Sequence, residues 1–146
     1  MKICKLIFFL FLSVKLFAQQ VPIGSWQSHF TYNKATSVEK VNDKIFCANT
    51  QLWSYSLSEN NFETYSKVNG LSDINIQHLR YDPSTKFLVI VYENSNIDLM
   101  QDNNFYNIPD IKNLKITGSK IINHIYFKNQ KIYLSTDFGI LVLDPI

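Results

Sequence analysis

One pattern recurs three times along this chain. Lys44-Ile45-Phe46-Cys47-Ala48-Asn49 is followed by Leu52-Trp53-Ser54-Tyr55. Lys86-Phe87-Leu88-Val89-Ile90-Val91 is followed by Asn96-Ile97-Asp98-Leu99-Met100, and Lys131-Ile132-Tyr133-Leu134-Ser135-Thr136 by Gly139-Ile140-Leu141-Val142-Leu143-Asp144. Each unit is a lysine, an apolar run, a short polar turn and a second apolar run. The lysines are 42 and 45 residues apart, and Leu52, Ile97 and Ile140 are 45 and 43 apart. A fixed period of this size constrains a fold tightly. One unit cannot bury its apolar faces alone, so successive units must stack.

Further matches flank each core. Val38-Glu39-Lys40-Val41, Ile76-Gln77-His78-Leu79 and Ile122-Asn123-His124-Ile125 precede the three pairs, and Phe62-Glu63-Thr64-Tyr65 and Phe105-Tyr106-Asn107-Ile108 follow the first two. The unit is therefore an inner strand, two central strands and an outer strand. Four antiparallel strands repeated every 40–50 residues or so predict an all-β fold of β-propeller blades. A β-sandwich also has short, evenly spaced strands, but it does not require one residue order three times. The central runs are apolar at almost every position, as expected of strands covered on both faces. Asn42-Asp43, Asp82-Pro83-Ser84, Asn94-Ser95 and Asn129-Gln130 supply turn chemistry between them. The expected boundaries are roughly 33–72, 73–117 and 118–146, the last unit lacking its outer strand. Propellers close with about 4–8 blades. These three predict an incomplete ring, the N-terminal piece of a longer protein or a truncated reading frame. Residues 19–146 alone are accordingly expected to be poorly soluble or associated.

The first eighteen residues read differently. Lys2 and Lys5 precede the apolar run Leu6–Leu12, and Ala18 closes the segment. A basic start, a short apolar core and a small final residue predict a secretory signal peptide over 1–18, cut between Ala18 and Gln19. The run is short of the roughly 20 apolar residues that span a bilayer, and Lys15 interrupts it. No transmembrane span is expected once it is removed. Cys4 precedes the run and so is not placed as a lipoprotein anchor. The formal charge of the whole chain is +2; the 128 residues after Ala18 hold 11 basic and 12 acidic residues, net −1. That balance argues against a nucleic-acid partner. A chain that is 46% hydrophobic and 14% aromatic is not disordered. Cys47, flanked by Phe46 and Ala48, reads as a buried thiol acting as a small hydrophobe.

An ordered set of segments resembles the PorZ-type N-terminal propeller family of the Bacteroidetes type IX secretion system, a two-component-regulator-like propeller. The set is Gly24-Ser25-Trp26-Gln27-Ser28-His29-Phe30-Thr31-Tyr32, the connector Asn69-Gly70-Leu71-Ser72-Asp73, Tyr92-Glu93-Asn94-Ser95-Asn96-Ile97-Asp98-Leu99 and Phe138-Gly139-Ile140-Leu141-Val142-Leu143-Asp144. Asp110-Ile111-Lys112, Ile121-Ile122-Asn123 and Ile132-Tyr133-Leu134-Ser135 continue it, so the resemblance covers residues 19–146. One departure is the missing glycine before Leu52, where Thr50-Gln51 stands instead; this predicts a shortened or distorted first hairpin.

The resemblance implies a non-enzymatic interaction module, exported to the periplasm or the outer-membrane cell surface. Its implied partners are secretion-complex proteins such as the sortase, with anionic lipopolysaccharide as a further one. The alternative is a periplasmic sensor propeller of a hybrid two-component receptor, and a third reading is a propeller enzyme such as a polysaccharide lyase. Downstream sequence separates the first two: a second propeller and sorting domain, or a membrane helix and kinase.

No residue is assigned a catalytic, cofactor-binding or metal-binding role, and no cofactor is expected. His78 and His124 occupy equivalent repeat positions, but Lys40 is read as taking the same place in the first unit, where it would repel a cation. His29 stands apart. Asp82, Asp98, Asp102, Asp110 and Asp137 read as residues of turns and strand ends. There is no GxSxG or HExxH motif, and Gly70 and Gly139 belong to no phosphate-cradling loop. Trp26, Trp53 and the tyrosines are read mainly as packing between blades.

Overall fold

The computed structural model describes residues 34–145. The expected signal peptide, its cleavage point, His29 and the Gly24–Tyr32 segment with Trp26 lie outside the described residues.

Strands β1 (Ser37–Val41), β2 (Lys44–Ala48), β3 (Leu52–Ser56) and β4 (Asn61–Tyr65) form one antiparallel sheet in sequence order. Strands β5 (Ile76–Asp82), β6 (Phe87–Tyr92), β7 (Ile97–Gln101) and β8 (Asn104–Ile108) form a second in the same way. A single helical turn, α1 (Asp110–Asn113), leads to the third sheet, β9 (Ile122–Lys128), β10 (Lys131–Thr136) and β11 (Gly139–Leu143). The described chain is all-β, a series of propeller blades, and the strand pairs follow the repeat read from the sequence.

The hairpin tips explain how the chain turns so often with so little glycine. Among the described residues, nine other than glycine hold positive φ, including Asn42, Asn60, Asn75, Asn103 and Asn129. Asparagine tolerates the left-handed region because its short polar side chain bonds locally. At the two-residue tips Asp102-Asn103 and Asn129-Gln130 both φ values are positive, the geometry whose twist matches that of the flanking strands. The first hairpin is not distorted, contrary to the expectation from its missing glycine. Strands β2 and β3 pair from Lys44↔Ser56 to Ala48↔Leu52 without a shift. The connecting residues 49–51 use no positive φ, so no glycine is needed there.

The sheets stack through alternate residues. On β6, Leu88, Ile90 and Tyr92 join Phe46, Ala48 and Leu52 of the first sheet in one apolar cluster. Val89 and Val91 of β6, with Ile97 and Leu99 of β7, join Ile122, Ile125, Ile132 and Leu134 of the third sheet in another. The second sheet is thus covered on both faces, which is why β6 is apolar throughout. Burying each such side chain stabilises the stack by about 1.5–3 kcal/mol.

The first strands of the three sheets, β1, β5 and β9, converge on a small cleft. Ser37 and Glu39, His78 and Arg80, and Asn123 and His124 line it. These strands lie innermost, and both β5 and β9 carry a register irregularity where they pair with the next strand.

Candidate functional site

The residues singled out by sequence fall into three settings: the inner cleft, the joint between the first two blades, and isolated turns.

In the inner cleft the structure corrects the assignment of Lys40. His78 and His124 each lie four residues before the tip-flanking residues Asp82 and Lys128, and the first-sheet residue four before Val41 is Ser37. Their partners also correspond: Ser37↔Ala48, His78↔Val91 and His124↔Ser135. Lys40 lies three residues further along β1. The sequence comparison set Val38–Val41 against Ile76–Leu79 and Ile122–Ile125, segments that end three residues further from their turns; counting back from the turns recovers the true equivalence.

This inner position joins one sheet to the next. The Leu79 N–H donates to Ser37 Oγ at 3.0 Å, and the neighbouring Thr36 hydroxyl donates to the Ile76 carbonyl at 3.3 Å. His78 Nε2 lies 3.1 Å from the Ile122 carbonyl, which a neutral ring satisfies by donating from that nitrogen. Burial pushes the His78 pKa down; the Ile122 carbonyl opposes the shift and the neighbouring His124 ring adds to it. The cleft has a volume of about 210 Å³. Among the described residues no group of three His, Cys, Asp or Glu stands together to hold a metal ion.

The joint between blades one and two is built by the connector Asn69-Gly70-Leu71-Ser72-Asp73. Asn69 Oδ1 accepts from the Ser66 N–H and hydroxyl, while its Nδ2 donates to the Thr64 carbonyl at 2.8 Å. Gly70 has φ +136°, and its bare Cα faces the Phe105 ring so closely that a Cβ would overlap it. Leu71 is buried in the cluster between the first two sheets. The Ser72 N–H donates to Asp98 Oδ2 at 2.8 Å. Asp73 accepts from Lys112 Nζ at 2.7 Å and from Asn94 Nδ2. Burial opposes ionisation of Asp73, but those donors outweigh it and hold its carboxyl down at about 2.

Asp98 is the second residue the structure reassigns. It lies within β7, paired with Ile90 on one side and Asn107 on the other, and is fully buried. Besides Ser72, it accepts from the Tyr92 hydroxyl at 2.5 Å and from Asn107 Nδ2 at 2.8 Å. Burial pushes the Tyr92 phenol up, and its bond to Asp98 adds to the shift. A buried carboxylate is tolerated only with such a complement of donors. Strand periodicity alone marks it as one polar residue in an apolar run; the pairing of connector with hairpin is a tertiary contact.

The other aspartates are turn and terminus residues. Asp82 accepts from the backbone N–H and hydroxyl of both Ser84 and Thr85, closing its own turn. Asp102 holds a left-handed tip, Asp110 begins α1, and Asp137 accepts from Asn123 Nδ2 at 2.8 Å. Cys47 is a buried free thiol whose pKa burial raises. Trp53 packs on Phe62, ring centroids 5.3 Å apart. A groove of about 580 Å³ opens at the other end of the first two sheets, with Phe46, Leu88 and Met100 at its base and Asp43, Lys86 and Asp102 around it. Among the described residues no helix is long and apolar enough to cross a membrane.

Two comparisons bear on this arrangement. Residues 45–145 match the family described as the TSS9, PorZ, N-terminal beta-propeller domain. A solved structure of PorZ from Porphyromonas gingivalis, described as an essential bacterial surface component of the type IX secretion system, superposes with a TM-score of 0.70 at 28% sequence identity. That match covers 76% of this chain and 15% of the PorZ chain. No curated protein matches the chain.

Proposed function

The chain belongs to the family of PorZ N-terminal β-propeller domains, and on that premise we propose that it serves type IX secretion as a non-enzymatic interaction module at the outer-membrane surface. The family match across residues 45–145 carries this reading. The fate of the ionisable side chains supports it. Asp73, Asp82 and Asp98 are consumed in joining blades and closing turns, and His78 in bonding the next inner strand. A scaffold of stacked sheets whose buried aspartates Asp82 and Asp98 are satisfied internally presents a rigid surface to partners.

In this reading residues 1–18 direct export and are removed, and residues 19–146 contribute blades to an N-terminal propeller. The partners are proteins of the secretion complex, the sortase among them, and anionic lipopolysaccharide is within reach at that surface.

Deleting the gene in the host bacterium tests the reading. Cargo carrying the type IX sorting signal should be lost from the cell surface and accumulate in the periplasm. The protein should fractionate with the outer membrane and cross-link there to the secretion machinery. Unchanged surface cargo in the deletion strain would overturn the proposal. Unchanged cargo with altered transcription on glycan exposure would favour the sensor propeller.

A further inference from the structure

The first two sheets part at their tips and leave a groove of about 580 Å³, within the roughly 300–1,000 Å³ of ligand sites. Both walls belong to described strands. One is formed by the β1–β2 tip and the β3–β4 turn, the other by β5 with the tips of β5–β6 and β7–β8. Val41 and Tyr81 stand at its inner end, Glu59 and Asn103 at its outer end. Neighbouring strands lie about 4.8 Å apart, so the path from the first strands to the outer turns is roughly 10–14 Å, the length of three or four extended residues. Phe46, Leu88 and Met100 close the floor, each at most 5% exposed, so an occupant lies along the groove and does not enter the core.

The charges along this groove do not balance. Lys44 is taken by Glu63 at 2.7 Å. Among the described residues the side chains of Glu59, Lys86 and Asp102 enter no ion pair. Asp43 accepts from the Ser56 hydroxyl and from the N–H and hydroxyl of Ser58, all at Oδ2, so Oδ1 takes none of these donors. Ser58 above all pushes the Asp43 pKa down, and Lys40, on the opposite face of β1, is the weakest of the influences. Three carboxylates, Asp43, Glu59 and Asp102, thus stand against the one unpaired ammonium of Lys86. A long, acidic groove over an apolar floor complements a cation carried on an aliphatic stem.

We propose that this groove takes a short basic segment of a partner protein in extended conformation. An arginine or lysine of that segment lays its stem over Leu88 and Met100 and sets its charged head among Asp43, Glu59 and Asp102. Two arguments select this occupant. An acidic segment would meet like charges along the walls. A small free cation would satisfy one carboxylate and leave most of the groove's length unfilled. The walls are hairpin tips fixed by ladder pairs in both sheets, so little ordering of the groove opposes binding. The inference concerns a surface of the blades themselves and stands apart from the secretion reading.

Methyl NMR of the full-length protein labelled at methionine tests it, because Met100 lies on the groove floor and its signal is assigned by Met100→Leu. The probes are a blocked tetrapeptide alternating leucine with arginine, and its counterpart with glutamate in place of arginine. The arginine peptide should shift the Met100 signal saturably, and the glutamate peptide should not. Asp102→Asn combined with Glu59→Gln should weaken binding of the arginine peptide about fivefold. Asparagine keeps the left-handed tip at position 102, and Asp110→Asn, outside the groove, should change nothing. The absence of a saturable shift with the arginine peptide overturns the proposal. Equal binding of the glutamate peptide, or a loss under about twofold in the double variant, also overturns it. Spermidine binding as tightly as the arginine peptide does so too, because a free cation is then the ligand.

Discussion

Replacing Asp98 with alanine should unfasten the connector from the second blade before it disturbs anything else. The carboxylate accepts from three donors, the Ser72 N–H, the Tyr92 hydroxyl and Asn107 Nδ2, and none of them gains a new acceptor from a methyl group. Leaving a buried donor unsatisfied costs about 1–3 kcal/mol. Water entering the space vacated by the carboxyl places the sum near the lower end, at about 3–5 kcal/mol. Removing one partner of a buried charge interaction has a similar cost, about 3–5 kcal/mol. Asp98→Asn should lie between alanine and wild type, because its amide would face Asn107 Nδ2, already committed to Asn96 and Ile97. Tyr92→Phe deletes a single hydroxyl and should cost about 1 kcal/mol. Hydrogen exchange of the full-length protein, read on the peptide spanning residues 66–76, measures the effect directly. Since each 1.4 kcal/mol or so is tenfold in an equilibrium constant, exchange in Asp98→Ala should accelerate about a hundredfold or more, while a peptide from β10 serves as internal reference. Exchange within about threefold of wild type would refute the argument, and so would a Tyr92→Phe effect as large as that of Asp98→Ala.

Other consequences are equally direct. Gly70→Ala places a Cβ into the Phe105 ring at a φ that side chains avoid; overpacking and backbone strain together should lower stability by about 2–4 kcal/mol, seen as a lower urea midpoint with an unchanged slope. His78 has its pKa lowered in the fold, so the unfolded chain takes up the proton first. Stability should therefore decline as pH falls below about 6.5, and His78→Gln, measured by thermal melting at pH 5.5 and 7.5, should flatten that dependence. Asp73, held at about 2 against 3.8, contributes stability above about pH 4 that disappears as pH falls through 2. Lys112→Ala should move its NMR-detected titration upward, and an unmoved titration would show that Asn94 and the Ile74 N–H suffice.

The repeat made most of this fold readable. Lysine, apolar run, turn and apolar run mark β2–β3, β6–β7 and β10–β11, and Asn42, Asn129 and Gln130 mark tips that the structure closes with left-handed residues. What escaped the sequence was of two kinds. Matching by residue type hid the equivalence of Ser37 with the histidines, since it set Val38–Val41, which abuts its turn, against segments ending three residues short of theirs. The role of Asp98 depends on Ser72, 26 residues away, meeting it across a blade joint, which local periodicity cannot encode. The missing glycine before Leu52 pointed to a distortion because left-handed geometry was assumed for that turn; the chain uses a different turn.

The left-handed hairpin tips carry a further implication. Lys86 and Gln130 hold φ near +62°, and neither has the short side chain that eases this conformation for asparagine. A left-handed L-residue is disfavoured by about 1–2 kcal/mol, and glycine is free of that penalty at the expense of a more flexible unfolded chain. The tips lie apart from the apolar clusters that join the sheets. Thermal tolerance can therefore be tuned at the rims, by exchanging Lys86 or Gln130 for asparagine or glycine, while the geometry at the blade joints is left as it is.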